Sequence, residues 1–300
     1  MAFYLDSALL GLEYALLAMG VFLTFRILNI PDLTADGSFA FGVAVSGALT
    51  AAGHPAAGLA LSLAAGAAAG CVAGLLQTRC GIHPILSGIL TASGLYTVNL
   101  AVLGGPNLSL LNSGKFFTAA AGAVPAMADA VRAGYLLALC AAAIALMTLF
   151  FRTVLGLSIR ASGDNEDMVR ASSIDTTLAR ILALALANAL TALSGAVVAQ
   201  YQGFSDIGSG SGMIVVGLAS VIIGEAIFGR RSVTAGLLSA CAGSVVYRLL
   251  LALALRYTFL SANSLRLVSA VIVAAALSVP AVRRSAAARK KRRENPECCA

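Results

Sequence analysis

Charge is what this sequence has least of: Asp, Glu, Lys and Arg together make up 11% of its 300 residues. A water-soluble domain needs about a quarter of its residues charged to solvate its surface, so that class is excluded. Histidine is nearly absent; His54 and His83 each precede a proline, and neither suggests a metal. The six cysteines show no ligand spacing: Cys71, Cys140 and Cys241 lie in apolar runs, Cys80 beside a turn, and Cys298–Cys299 at the C-terminus. They imply neither a disulfide framework nor a metal centre. No GxxxxGK[ST] phosphate loop occurs, so no cofactor is expected on this chain, and any ATP and Mg chemistry belongs to another polypeptide. No nucleophile–base pair stands out, which argues against an intramembrane enzyme. Tryptophan is missing, leaving Tyr, Phe and Arg to form an interfacial belt. The N-terminus lacks the short basic-then-apolar layout of a cleaved signal peptide, so its first apolar run reads as a retained span.

What the chain has in abundance is apolar length. Hydrophobic residues make up 59% of it, and its mean hydropathy is +0.92. A bilayer crossing takes about 20 such residues at 1.5 Å rise each. Runs of that kind predict spans over 8–28, 37–52, 55–78, 84–104, 133–151, 178–201, 212–228, 234–255 and 264–282. The expected fold is an all-α polytopic membrane protein with about nine or ten transmembrane helices. Residues 1–282 read as one membrane domain and 283–300 as a basic cytoplasmic tail.

The net charge of +7 is concentrated in Arg152 to Arg180, Arg230–Arg231 and Arg283 to Arg293. Basic clusters beside apolar spans mark the cytoplasmic side. Without aromatic interleaving or a recognition motif they do not indicate nucleic acid. Counting back from a cytoplasmic tail places 152–177 and Arg79 inside, 105–132 and 202–211 outside, and the N-terminus outside. Arg256 and Arg266 flank an outside turn and fit less well, although long arginines snorkel from either end of a helix.

Small residues fill the spans, as in AAGAAAGCVAG from Ala64 to Gly74. Inside a bilayer such residues let helices approach closely, because packing rather than the hydrophobic effect drives their association. Two segments share a texture: DLTADGSFAFGVAVS from Asp32 to Ser46, and DIGSGSGMIVVGLAS from Asp206 to Ser220. Each has an aspartate, a small polar turn and then a short apolar span. They are either an inverted internal repeat lining a central pathway or two unrelated interfacial turns.

Ionisable residues within spans are candidates for function. Asp32 and Asp36 either order a broken helix or act as simple N-caps. Glu225 either gates the exit or pairs with Arg230 or Arg231. Arg248 is expected to pair or snorkel, and Glu13 to sit at an interface. Asn99, Asn188, Gln77 and Gln200 read as interhelical hydrogen-bond partners. Gly37, Gly42, Gly47, Gly195, Gly212, Gly217 and Gly224 are candidate close-packing or hinge positions.

The most informative stretch is GLSIRASGDNEDMVRASSI, from Gly156 to Ile174. Ser162 and Asp164 are placed to cap a short helix beginning near Asn165, with Glu166 and Asp167 in its first turn. Leu157, Ile159 and Ala161 alternate with polar neighbours ahead of it. The segment is either a solvated loop or a docking element for a soluble motor.

This stretch resembles the cytoplasmic segment of ABC-importer permeases of the branched-chain amino acid and ribose type, G-x-x-[IL]-R-A-x-G-x-N followed by A-x-x-x-G-I. Gly156, Ile159, Arg160, Ala161, Gly163, Asn165 and Ile174 match, while Ser173 stands where the pattern has Gly. GLASVIIGEAIFGRRSVTAG, Gly217 to Gly236, is similar to that family's I-A-A-V-x-[IL]-G-G-x-S-x-x-G-G motif, with Glu225 replacing the second Gly. With NIPDLTADGSFAFGV and SLRLVSA, it points to a subgroup of amino-acid permeases, some assigned to tryptophan or other aromatic amino acids.

The resemblance implies a homodimer of permeases in the bacterial cytoplasmic (inner) membrane. A dimer of cytoplasmic ABC ATPases would dock on Leu157, Ile159, Arg160, Ala161, Gly163, Asp164, Asn165, Glu166, Met168 and Val169. An extracytoplasmic binding protein would deliver an amino acid or related solute. Asp32, Asp36, Gly37, Asp206, Gly212, Gly217 and Glu225 are the candidates for path and gate. The rival reading is a self-contained ion-coupled carrier built on Asp32, Asp36, Asp206 and Glu225.

Overall fold

The computed structural model describes residues 2–111, 128–229, 232–257 and the single residue 274. The expected ninth span over 264–282, the tail 283–300, much of the 105–132 loop and Arg230–Arg231 lie outside the described residues.

Each of the other eight expected spans is helical. The first is built from α1 (Ala2–Glu13), α2 (Ala15–Phe22) and one π-helical turn, Leu23–Ile27. After a tight reversal come α3 (Thr34–Ala51), α4 (Pro55–Thr78) and α5 (Pro84–Leu103). Strand β1 (Asn107–Ser109) leads towards α6 (Ala128–Phe150). Two short helices follow, α7 (Val154–Asp164) and α8 (Glu166–Ala171). The long α9 (Thr176–Gln202) ends at strand β2 (Phe204–Asp206) and a 3-10 turn, Ile207–Gly210. Helices α10 (Met213–Phe228) and α11 (Val233–Tyr257) complete the described part.

Several boundaries follow from local chemistry. Pro55 and Pro84 open α4 and α5, where the missing amide costs nothing and the fixed φ suits a first turn. Gly104 and Gly203 close α5 and α9 in the left-handed conformation, at φ of 72° and 77°, the usual glycine stop.

Seven helical segments among the described residues are long and apolar enough to cross a membrane. Helix α3 is not one of them, and its position explains why: it is enclosed by α4, α5 and α9 and buries Thr34, Ser38, Ser46 and Thr50. A helix surrounded by other helices does not need a lipid-soluble surface. The centre of the bundle is the first span together with α9, whose apolar windows are 78% and 83% buried, whereas none of the other five exceeds 39%. Leu61, Leu86, Leu90, Leu137, Leu146 and Leu149 lie on the remaining helices and are exposed, as expected of a lipid-facing rim.

The two halves repeat a packing scheme. Helix α9 lies against α3 and α4, while the first span lies against α10 and α11. Helices α3 and α10 each follow an aspartate turn of the same geometry. The Oδ1 of Asp32 accepts from the amide of Thr34 at 2.9 Å, and the Oδ1 of Asp206 from the amide of Gly208 at 2.9 Å. Helix α3 starts just after the turn that carries Arg26 and runs towards β2, where its Gly47 packs on Ser205. Helix α10 starts at the far end of the 3-10 turn that follows β2, beside Asp36 in the first turn of α3, and runs the opposite way to end beside Arg26, which its Glu225 meets. The two units are therefore antiparallel, the geometry of an inverted repeat.

Very close helix crossings hold these elements together. A Cβ on Gly42 would overlap the carbonyl of Ala192, and one on Gly195 the carbonyl of Phe39, so α3 and α9 touch backbone to backbone at both points. Buried polar side chains add links: Asn188 Nδ2 donates to Asp32 at 2.8 Å, and Gln200 Nε2 to Ser46 Oγ at 3.0 Å and the Pro55 carbonyl at 2.9 Å. Asn99 Nδ2 reaches the Gly37 carbonyl at 3.5 Å. Gln77 departs from expectation: it is buried with no hydrogen-bond partner among the described residues.

Candidate functional site

One end of the bundle carries the short helices. Thr153 caps α7 by accepting from the Gly156 amide at 3.3 Å. Asn165 caps α8 by accepting from the Met168 amide at 3.1 Å. The cap is thus Asn165 itself and not Ser162 or Asp164, because Asp164 is still the last residue of α7. The alternation of Leu157, Ile159 and Ala161 belongs to a helix, so these residues do not share one face. Glu166 and Asp167 do occupy the first turn of α8, and Glu166 bridges Arg170 and Arg180, tying α8 to α9.

Burial divides the expected docking residues. Ile159 is fully buried and Val169 is buried, so both anchor the short helices to the bundle. Leu157 and Met168 are exposed at 52% and 69%. Arg160, Ala161, Asp164 and Asn165 are exposed, while Gly163 and Glu166 are half-buried. Val154 and Leu155, which no sequence motif singles out, are exposed at 79% and 47%. The exposed apolar surface is therefore Val154, Leu155, Leu157 and Met168. Ser173, at the position where the resembling motif has Gly, adopts φ +60°, a left-handed conformation that glycine accepts without strain.

Gly163 lies directly under the first span. A Cβ there would overlap the Ile27 carbonyl, and Asn29 Nδ2 approaches the Gly163 carbonyl at 3.5 Å. The π-turn above it closes with the Leu28 amide donating to the Leu23 carbonyl at 3.0 Å. Such turns are rare and interrupt an otherwise regular helix. This one carries Arg26, which pairs with Glu225 of α10. Arg26 is thus one partner of Glu225, and the expected partners Arg230 and Arg231 lie outside the described residues.

The path candidates fall into four places. Asp32, Asp36, Gly37 and Gly212 gather where α3 and α10 begin. Asp32 is 1% exposed and held by Thr34 and Asn188. Asp36 crosses between the units: its carboxylate accepts from the amides of Gly212 at 3.0 Å and Ile214 at 2.8 Å, capping α10. Gly37 packs on Ala92 of α5, and Gly212 takes φ +84°. Asp206 lies apart, at the strand pair. Gly217 packs on Val21, and Glu225 sits at the opposite end.

Glu13 is not at an interface, as expected from sequence, but fully buried at the break between α1 and α2. Its carboxylate oxygens have no hydrogen-bond partner among the described residues. Ser194 donates to its backbone carbonyl at 2.7 Å. Beside it, Arg248 lies 3.8 Å over the Tyr14 ring, whose centroid is 5.9 Å from that of Phe39 in a stacked arrangement. Arg248 is thus held by an aromatic face rather than snorkelling.

A bundle of lipid-facing helices with a capped pair of short helices at one end defines a polytopic membrane protein. Residues 3–277 match the family described as branched-chain amino acid transport system / permease component, and the chain belongs to it. It is a membrane-spanning permease subunit of an ATP-binding-cassette importer. The chain is 33% identical over 269 residues to a tyrosine transport system permease protein of Clostridioides difficile (strain R20291), covering 89% of this chain and 88% of that one. It is 31% identical over 216 residues to an uncharacterized protein of Rickettsia prowazekii (strain Madrid E), covering 71% and 73%. No solved structure matches the chain.

Proposed function

We propose that two copies of this chain form the translocation path of an amino-acid importer in a bacterial inner membrane. An extracytoplasmic binding protein delivers the solute, and a dimer of cytoplasmic ATPases drives the cycle by docking on α7 and α8. The observation that carries this reading is the set of exposed apolar side chains, Val154, Leu155, Leu157 and Met168, on two capped helices whose Ile159 and Val169 are buried against the bundle. Apolar groups presented on a rigid, charged element suit a protein partner better than water.

The mechanism needs no covalent step. Movement of α7 passes through Gly163 to the π-turn, and from Arg26 through Glu225 to α10. Helix α10 is in turn capped by Asp36 of α3, so one displacement reaches both inverted units. Solute then moves along their small-residue faces. The tyrosine permease among the relatives favours an amino acid, and an aromatic one first.

The test is affinity purification of the chain from its native membrane, intact or with 156–174 replaced by a Gly/Ser linker. A nucleotide-binding partner that co-purifies only with the intact chain supports the reading. A chain that purifies alone, yet moves solute down an ion gradient in liposomes, overturns it in favour of a carrier.

A further inference from the structure

Beside α7, at the same end of the bundle, is a cleft of 270 Å³ lined by Thr148, Phe151, Arg152, Arg160, Ser232, Val233 and Thr234. Its polar lining is one-sided: two arginines and three hydroxyl groups, without a carboxylate. Neither Arg152 nor Arg160 forms an ion pair among the described residues. An adjoining cleft of 210 Å³ shares Arg160 and Ser232 and contains Arg26 and Asp164. Arg26 is already neutralised by Glu225, and Asp164, one turn along α7 from Arg160, makes no ion pair with it. The uncompensated positive charge therefore belongs to the first cleft.

The backbone adds to it. Ser232 Oγ accepts from the Ala235 amide at 3.1 Å and caps α11. The amides of Val233 and Thr234, both lining residues, have no acceptor within their own helix and lie at its positive end. Thr148 and Thr234 place their hydroxyl oxygens 3.4 Å apart across the α6–α11 contact.

We propose that this cleft binds a phosphate group, supplied either by an anionic lipid headgroup at the membrane surface or by free phosphate. Two guanidinium groups with hydroxyl and amide donors lining one cleft supply the donor chemistry of a phosphate site, since a phosphate accepts several charge-assisted hydrogen bonds at once. The lipid source suits the location, because the cleft lies where α6 ends and α11 begins. Leu149, next to the lining Thr148, exposes 64% of its surface, which offers an acyl chain apolar contact. A bound phosphate would join α6, α7 and α11, fixing the short helix that carries Arg160. The site does not depend on any partner docking to α7.

The experiment uses the full chain in phosphatidylcholine nanodiscs, with and without phosphatidylglycerol, and separately with inorganic phosphate. The readout is the midpoint of thermal unfolding. Phosphatidylglycerol is expected to raise it by several degrees, roughly what ligand linkage gives a chain of this size. The shift is expected to vanish in Arg152→Gln/Arg160→Gln, shrink in Thr234→Val, and persist in Arg79→Gln, which removes a charge elsewhere on the same face. Native mass spectrometry is expected to show about tenfold weaker retention of the anionic lipid by the double variant. A shift produced by inorganic phosphate but not by the lipid supports the site with free phosphate as the source. No response to either, a full response in the double variant, or equal loss in Arg79→Gln overturns the proposal. Thr234→Val keeps the test open if the double variant does not fold.

Discussion

Arg26 and Glu225 form an ion pair between residues 199 positions apart, one on a π-turn of the first span and the other near the end of α10. The Glu225 side chain is 8% exposed and that of Arg26 is 34% exposed. The pair therefore sits at the edge of the bundle, where breaking one side leaves a nearly buried carboxylate. It is also a side-chain link between the turn under which α7 sits and α10.

Arg26→Gln and Glu225→Gln are each expected to slow transport, while the exchange Arg26→Glu/Glu225→Arg recovers part of the loss. A double-mutant cycle on solute uptake in proteoliposomes is expected to give coupling of about 0.5–3 kcal/mol. Additive effects of the single changes would show that the pair transmits nothing.

Gly163→Ala places a methyl group against the Ile27 carbonyl. Backbone cannot retreat as a flexible side chain does, so about 1–3 kcal/mol of strain is expected. The variant is expected to keep its partner ATPase but lose the link between ATP turnover and uptake. Measuring hydrolysis and uptake on the same vesicles checks this, and unchanged coupling counts against the contact.

Ser173→Gly is expected to stabilise the chain. Ser173 holds φ +60°, a conformation that costs a residue with a Cβ about 1–2 kcal/mol. A higher unfolding midpoint in detergent is the expected result, and a lower one would mean that the hydroxyl contributes more than the strain removes.

Asp36→Ala removes the acceptor that caps α10 through Gly212 and Ile214. Loss of such a cap costs about 0.5–2 kcal/mol, and Asp36→Asn is expected to recover part of it. Limited proteolysis between 206 and 213 reports directly on fraying at this point.

Gly94→Ala and Gly134→Ala probe the opposite situation. A methyl group added at either glycine would meet no neighbouring atom of the described residues within 4 Å, and replacing a helical Gly by Ala gains about 0.5–1 kcal/mol. Both variants are expected to be at least as stable as the parent chain in detergent, whereas Gly42→Ala is expected to be markedly less stable.

The spans are legible in the sequence because hydropathy measures transfer into lipid, and most of this chain's helices do face lipid. The aspartate turns before α3 and α10 are legible too, since Asp followed by small polar residues favours a local side-chain cap over continued helix. Hydropathy does not say which faces meet. Nothing in the spacing of Arg26 and Glu225 announces their contact, and a π-turn at Leu23–Ile27 has no compositional mark. Ile159 and Leu157 look alike in sequence, yet one is buried and the other exposed, because only the helical phase of α7 against the bundle separates them. The place of Glu13 is hidden for a related reason. Its burial depends on α11 bringing Arg248 and on α9 bringing Ser194, both distant in the chain.

The strand pair at the other end of the bundle bears on what a contact from that side meets. Asn107 faces Asp206 and Ser109 faces Phe204 across the ladder. Ser205 Oγ reaches the Val43 carbonyl of α3 at 3.3 Å. The ladder is a short crossbar riveted to α3, with one strand from each half of the chain. Any contact made with this ladder is therefore one hydrogen bond from α3 and reaches both halves of the chain at once.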